Sequence, residues 1–594
     1  MINKNKYILL SLFISMCFIA NVFAEDSFNE ELSKARQLVE QKSYDKALKV
    51  YMNISEGLHK NTGLTIEWAR VYTYANKHGE AIKLFEEVRS MHPERSTEVL
   101  RELAEQYKWN GQIPKAIAVY REGIALGVED LRMLLGLAEA LFWNGQKNEA
   151  LQIYDTILGR WPDNIDALLG KANILSLQDK LEESYALYQK VLDKYPDNLD
   201  ALNSQAKILV WQGYFRKGMV RYKEIQNRYP NNPDEIEGMA FAYHRLGDDT
   251  RAVEKIRELL KLCPDRKEAQ DLYDQIKNSQ HPFVRPYGGF TNDSTPQTIS
   301  TGGVSTGVPL DYSTSLNAVY ENQVLRKKSS DESTLSVNRT GLGLYRILGD
   351  TYEFHTFLYE SSFDKVDFNP FTTNTWVTYK PDDYWRFDLA YDRETFEDND
   401  AILDKIITNS PSLSVDFRPD RYWFLNLKYK RSYFSDNNRQ DQVFGTAEYR
   451  LSQVPFIKLY YNYYYSNWAD PDLTHGYFDP RSLLSHTLGV DTSVDLTKKL
   501  SIETKISGGY EFQRKPNVYV EESDHPTFYA EASLNYRFTD NWLLSVTSNF
   551  FTTWPDHGQR SYQKRGAFLS MTYNFGANPA GLHRATRPSR PTGE

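Results

Sequence analysis

The sequence predicts an α + β protein in two parts: an N-terminal all-α repeat solenoid, then an antiparallel transmembrane β-barrel of about sixteen strands. Three observations predict it. Before Gln280, residues recur in helical units with a period of about 34. After it, apolar and polar residues alternate in runs separated by turn-forming residues. The 41 tyrosines among 594 residues are densest in that alternating half, where side chains with an apolar body and a polar tip suit a membrane surface.

The bulk figures exclude several classes. Seventy basic residues against 79 acidic ones, net −9, give no general attraction to nucleic acid. A mean hydropathy of −0.59 argues against a helical membrane protein. Beyond the extreme N-terminus, no stretch approaches the roughly 18 apolar residues of a spanning helix. Residues 1–24 read as a secretory signal: Lys4 and Lys6, an apolar core from Tyr7 to Ala20, and Val22-Phe23-Ala24 as the cleavage site. Ile14-Ser15-Met16 before Cys17 is a poor lipidation motif. The processed chain then keeps only Cys263 and no internal disulfide. A secretory signal ahead of a barrel points to the outer membrane of a Gram-negative cell, with the repeats in the periplasm.

Residues 25–281 divide into seven units and a capping helix. The units start near Asn29, Thr62, Thr97, Leu131, Ile165, Leu199 and Pro233. Each has a small residue where two helices approach: Ala47, Ala81, Ala116, Ala150, Ser184, Gly218 and Ala252. A bulkier one follows four positions later: Tyr51, Phe85, Tyr120, Tyr154, Tyr188, Tyr222 and Ile256. Proline stops most second helices, at Pro93, Pro162, Pro196, Pro230 and Pro264. Gly111, Gly145, Gly213 and Gly247 mark turns, and Asp179 takes that place in the fifth unit. This pattern resembles the tetratricopeptide repeat, in which stacked helix pairs form a concave surface. Near the end of the first helix stand Tyr74, Trp109, Trp143 and Trp211 in the second, third, fourth and sixth units, with Leu177 at that place in the fifth. Such a stripe either packs against the next repeat or presents flat faces to sugar rings or a partner peptide.

Residues 282–576 hold the strands, centred on Tyr287, Gly302, Ala318, Arg339, Phe357, Val377, Leu389, Leu413, Leu427, Thr446, Tyr460, Leu488, Glu503, Ala532, Val546 and Ser570. Soluble sheets also alternate, so three further signs matter. Short turns at Gly349-Asp350, Lys380–Asp383, Arg418–Arg421, Thr497–Lys499 and Thr539–Asn541 alternate with longer polar loops, as in outer-membrane barrels. Aromatics gather beside the short turns (Tyr384-Trp385, Tyr422-Trp423, Trp542), and Trp468 and Trp554 are expected to mark the opposite girdle. The last strand alternates Leu569, Met571, Tyr573 and Phe575 with Ser570, Thr572 and Asn574, resembling the terminal signal read by the barrel assembly machinery; residues 577–594 follow as an expected disordered tail.

The polar phase predicts a mixed-charge pore wall of Arg386, Asp388, Asp416, Lys428, Lys430, Glu448, Arg450, Lys458, Asp491, Glu503, Lys505, Glu511, Glu531 and Arg537. These charges either line a hydrated path or pair across strands; no ring of one sign stands out. The acidic stretch Glu394–Asp404 reads as a solvated external loop, and the loop at Asp470-Pro471-Asp472 as the candidate constriction. No catalytic, cofactor or metal-ligand constellation is apparent. Gly303-Val304-Ser305-Thr306-Gly307 has the spacing of a nucleophile elbow but falls in a strand without a following helix.

Repeats fused N-terminally to such a barrel resemble the outer-membrane exporters of bacterial exopolysaccharides, those of cellulose, poly-N-acetylglucosamine and Pel. The repeated Trp-Asn-Gly-Gln at 109–112 and 143–146 is also similar to the YaiO family of outer-membrane barrels. The resemblance implies a non-enzymatic, cofactor-free pore that guides a secreted polysaccharide chain. Its partners would be periplasmic or inner-membrane synthesis proteins, with lipid and lipopolysaccharide around the barrel. The alternative is an anchored repeat scaffold for periplasmic or envelope proteins.

Overall fold

Alternation of turn residues with apolar helical stretches produces the helix pairs that the computed structural model shows. It describes residues 27–575 apart from 60, 92–95, 128–129, 294–296, 328–332, 396–398, 454, 472–479, 515–521, 540 and 554–561. The expected signal segment, the C-terminal tail, Trp554 and Asp472 lie outside the described residues. The chain forms two compact units, residues 1–202 and 203–594.

The first unit is helical: α1 (27–40), α2 (Tyr44–Asn53), α3 (Ser55–His59), α4 (Thr62–Tyr74), α5 (His78–Met91), α6 (Ser96–Trp109), α7 (Ile113–Ala125), α8 (Leu131–Trp143), α9 (Lys147–Arg160), α10 (Ile165–Leu177) and α11 (Leu181–Lys194). Asn61, Asp130 and Asn164 cap α4, α8 and α10, their side chains accepting from otherwise orphaned backbone N–H groups. The turn inside each pair needs a left-handed residue. Gly145 supplies it at φ 80°, and Asp179 adopts φ 70° at the equivalent place, a conformation that aspartate tolerates better than most residues.

Packing explains the small-then-bulky pattern. Ala47, Ala81, Ala116, Ala150 and Ser184 are wholly buried, and Tyr51, Phe85 and Tyr120 fill the space between helices. Each tyrosine needs a gap in the following repeat. A Cβ on Gly136 would stand 2.4 Å from the Tyr120 hydroxyl, and one on Gly170 2.4 Å from Tyr154.

In the second unit, α12 (Leu199–Trp211, entered from the first) precedes α13 (Phe215–Arg228), α14 (Pro233–Leu246), α15 (Asp249–Leu262) and α16 (Lys267–Ser279). Sixteen strands follow: β1 (Phe283–Asp293), β2 (Gln297–Asp311), β3 (Thr314–Lys327), β4 (Ser333–Leu348), β5 (Tyr352–Phe363), β6 (Phe371–Tyr379), β7 (Trp385–Thr395), β8 (Ile407–Phe417), β9 (Trp423–Phe434), β10 (Arg439–Gln453), β11 (Phe456–Trp468), β12 (Ser482–Asp495), β13 (Leu500–Arg514), β14 (Glu522–Arg537), β15 (Trp542–Thr553) and β16 (Tyr562–Asn574). A short helix, α17 (Asn399–Leu403), interrupts the β7–β8 connection.

Every strand pairs antiparallel with its sequence neighbours, and β1 pairs with β16, Phe283 opposite Asn574, so the sheet closes. Each of the sixteen expected strand centres falls in its own strand. No described helix is long and apolar enough to cross a membrane. Leu342, Leu389, Leu427 and Leu488 are 60–66% exposed on the outside of the barrel, an arrangement that suits hydrocarbon rather than water.

Two stability experiments follow. Gly170→Ala forces Tyr154 to move and should cost about 1–3 kcal/mol. Gly159→Ala, whose new methyl meets nothing within 4 Å, should instead stabilise α9 by up to about 1 kcal/mol; thermal unfolding of the two variants checks the contrast. Glu235 in α14 is fully buried with neither carboxylate oxygen hydrogen-bonded, and burial pushes its carboxyl up to about 7 from 4.5. The folded chain therefore holds this proton more tightly than the unfolded one. The group's contribution is full below pH 4.5 and is lost as pH rises toward 7, by on the order of 3 kcal/mol. Glu235→Gln should flatten that part of the stability–pH curve in denaturant titrations.

Candidate pore interior and repeat surface

Strand alternation fixes which side chains share the inner wall. With the exposed leucines outside, the opposite phase of each strand points inward. Arg386, Asp388, Asp416, Lys428, Lys430, Glu448, Arg450, Lys458, Asp491, Glu503, Lys505, Glu511, Glu531 and Arg537 all stand in that inward phase. Most make cross-strand ion pairs or hydrogen bonds. Lys458 lies 2.8 Å from Glu448 on β10 and 3.1 Å from Asp491 on β12. Arg386 reaches Asp388 at 3.1 Å and Asp416 at 3.9 Å, Lys430 reaches Asp392 at 3.5 Å, and Lys505 reaches Glu531 at 3.6 Å. Glu511 accepts from Gln513, and Asp416 from Asn426. The inner phase also carries a ring ladder the charge pattern did not suggest: Tyr345 on β4, His355 on β5 and Trp376 on β6, with centroids 4.0 and 4.2 Å apart.

The structure corrects two expectations at the long-loop end. Trp468 is 5% exposed and shares its phase with Lys458 and Tyr464, so it lies inside the barrel rather than in an outer girdle. Trp385, Trp423 and Trp542, beside the short turns, are exposed in the outward phase. Second, Glu394–Asp404 is not simply a solvated loop. Its helix α17 turns Ala401 and Ile402 inward, and both are buried. Ile402 packs on Leu325, Leu335, Val337 and Phe363 of β3–β5, whereas Ala401 joins Ile406, Phe434 and Trp468 on the β8–β11 side. Lys327 pairs with Asp400 and ties the helix to β3. Most of the loop at Asp470-Pro471-Asp472, expected as the constriction, lies outside the described residues; α17 is the described segment that packs inward at this end.

At the short-turn end, the last repeats meet the barrel. Tyr214, the residue before α13, offers no side-chain cap. The barrel supplies one: Asp383, in the β6–β7 turn, accepts from the backbone N–H of Arg216 at 2.8 Å and of Lys217 at 3.1 Å. Burial pushes the Asp383 carboxyl above its ordinary range, while these N–H groups act in the other direction. The Arg216 guanidinium donates to the carbonyls of Asp382 at 2.7 Å and Lys380 at 2.8 Å, and also to that of Asp350. The Tyr214 hydroxyl donates to Pro419 at 3.1 Å, and Arg251 faces Asp350 at 3.4 Å. Arg216, Asp383 and Tyr214 thereby join α13 to three short connections, β4–β5, β6–β7 and β8–β9.

The repeat stripe is only partly gathered. Trp109 and Trp143 are 59% and 48% exposed and meet edge to face at 5.6 Å, with the Lys108 ammonium 5.2 and 5.3 Å from the two rings. Tyr74 is exposed and contacts Tyr44. Trp211 is half-buried, with Lys207 over its ring at 5.0 Å. Among the described residues, no group of three or more His, Cys, Asp and Glu could hold a metal ion.

Asp383→Ala removes the external cap of α13 and leaves two N–H groups without acceptors. It should cost about 2 kcal/mol locally, read as faster amide exchange at residues 214–218 with the barrel strands unchanged.

Tetratricopeptide-repeat family profiles match residues 101–165 and 148–208. No curated protein sequence matches the chain. Among solved structures, a bacterial polysaccharide outer membrane secretin is similar to it at 14% identity, covering 50% of this chain and 99% of that one, with a TM-score of 0.40. A tetratricopeptide repeat protein from Parabacteroides merdae ATCC 43184 is 16% identical over 42% of this chain and 98% of its own, with a TM-score of 0.38. The chain therefore carries tetratricopeptide repeats, matched over residues 101–208, ahead of a closed sixteen-stranded antiparallel β-barrel.

Proposed function

We propose that this protein is a passive outer-membrane conduit that guides a secreted polysaccharide out of the periplasm of a Gram-negative cell. The observation that carries the reading is the pairing of a closed barrel, apolar outside and charged inside, with repeat helices joined to its short-turn end by Arg216 and Asp383. An apolar outer wall suits lipid, and a polar inner wall suits a hydrated chain. Short turns characteristically face the periplasm, which supports a periplasmic location for the repeats. The exposed Trp109 and Trp143 faces offer stacking surfaces for sugar rings or for a component of the synthesis machinery. No energy-coupling or catalytic step is assigned to this chain; polymerisation elsewhere would drive transit.

One observation favours the second reading, an anchored scaffold. Helix α17 and the paired charges leave the outer end of the barrel occupied. The two readings separate in planar bilayers. Removing residues 399–404 should raise single-channel conductance several-fold over the full chain, because α17 is held inward by apolar packing and the Lys327–Asp400 pair. If neither the full chain nor the shortened one conducts, the conduit reading falls and the scaffold reading stands.

A further inference from the structure

Along most of the inner wall, basic groups have acidic partners. The short-turn end departs from that rule. Arg418 lies in the β8–β9 turn, its guanidinium 5.0 Å from the ring of Phe424, an inward residue opposite Glu448. Arg450 ends the inward phase of β10 and stands 5.8 Å from the ring of Phe456. Its backbone N–H donates to Tyr422 at 2.8 Å, and the like charges of Arg418 and Arg421 act on it. Arg245, from α14, lies 5.5 Å from the Phe215 ring, and the charge of Arg450 reaches it. Among the described residues, none of Arg245, Arg418 and Arg450 forms an ion pair.

The carboxylates around these arginines are already engaged: Asp420, in the same turn as Arg418, accepts from the backbone N–H groups of Tyr422 at 2.7 Å and Trp423 at 2.8 Å. Glu448 is taken by Lys458 at 2.8 Å, and Asp416 by Asn426 at 2.7 Å and Arg386 at 3.9 Å. Gathering like charges at the mouth of a barrel costs free energy unless an anion arrives to offset it. Guanidinium groups are the side chains best shaped for this, since each can donate two parallel hydrogen bonds to a carboxylate. Three of them sit against phenylalanine rings, so charge and an apolar face occur together. That combination matches a sugar acid, whose ring presents C–H groups on one side and a carboxylate at its edge.

We infer that Arg245, Arg418 and Arg450 form an entry site for an acidic glycan, a chain bearing carboxylates on its sugars. The inference rests on the conduit reading for its choice of a glycan and names the charge of the cargo, which the mixed-sign wall leaves open. The neighbouring Arg421, its guanidinium against Tyr422, adds to the positive field.

The test uses the full-length protein in detergent micelles at low salt, where screening is least. Hexagalacturonate, cellohexaose, a chitosan hexamer and inorganic phosphate are titrated in turn by calorimetry. Hexagalacturonate should bind at least about tenfold more tightly than the neutral and cationic hexamers, and the Arg245→Gln/Arg418→Gln/Arg450→Gln variant should lose about tenfold or more of that affinity. Strand circular dichroism verifies folding of the triple variant. Should it not fold, Arg418→Gln alone, in a turn, replaces it and is expected to weaken binding severalfold. Equal affinity for cellohexaose, or no loss in the folded variant, overturns the proposal. Phosphate binding as tightly as hexagalacturonate would reduce the site to a simple anion site and also overturn it. Because binding is measured without transport, its failure is distinguishable from failure of the conduit reading, which the bilayer recordings decide.

Discussion

A strand in hydrocarbon has no water to satisfy its backbone, so a sheet there can have no free edge. The pairing of β1 with β16 meets that constraint, and much else in the barrel depends on it. Closure places alternate side chains outside and inside, which is why Leu342 and Leu389 face outward while Arg339 and Asp388 face inward. An even number of strands brings the end of β16 back beside the start of β1, at the end where the short turns lie. The helices that precede β1 can therefore reach those turns.

Closure also explains the chemistry of the inner wall. Charged groups between strands lose part of their hydration, and pairing lowers the cost. Lys458 between Glu448 and Asp491, and Arg386 between Asp388 and Asp416, follow that logic. Such pairs hold the wall together and leave little net field. Against this background Arg245, Arg418 and Arg450, which form no ion pair among the described residues, stand apart, and they come from α14, a turn and β10 rather than from one charged segment. Helix α17 packs inward at the opposite end by different means, through apolar contacts and the Lys327–Asp400 ion pair.

Much of this was legible in the sequence because two periods dominate it. A period near 34 locates helix pairs, and the left-handed turns at Gly145 and Asp179 sit where the pattern puts them. A period of two locates strands and their phases, which assigns each charged residue to one face of its strand. The errors arose where residue type was allowed to outweigh phase. As a tryptophan at a strand end, Trp468 suggests a girdle residue, yet it shares its phase with Lys458. The inward turn of Glu394–Asp404 was not readable, because its two apolar residues, Ala401 and Ile402, find partners on strands far away in sequence. The arginine cluster was hidden for the same reason. The exposure of Trp109 and Trp143 was equally beyond reach, since a repeat period gives a position on a helix but not what covers it.

The joint at Asp383 bears on where one part of this molecule ends and the next begins. By sequence grammar the change comes near Gln280, where helical periodicity stops. By contact it comes at Leu202, and α13–α16 belong with the strands. The physical reason is visible at α13: the helix carries no acceptor of its own at Tyr214, and the barrel's Asp383 completes it, while Arg216 satisfies carbonyls of the strand connections in return. Each side satisfies polar groups that the other would otherwise leave to water. A repeat built in this way is a fixed part of the barrel's rim, and a residue such as Arg245 on α14 is held there by the same framework. The last repeats thus belong to the barrel's rim as much as they end the array.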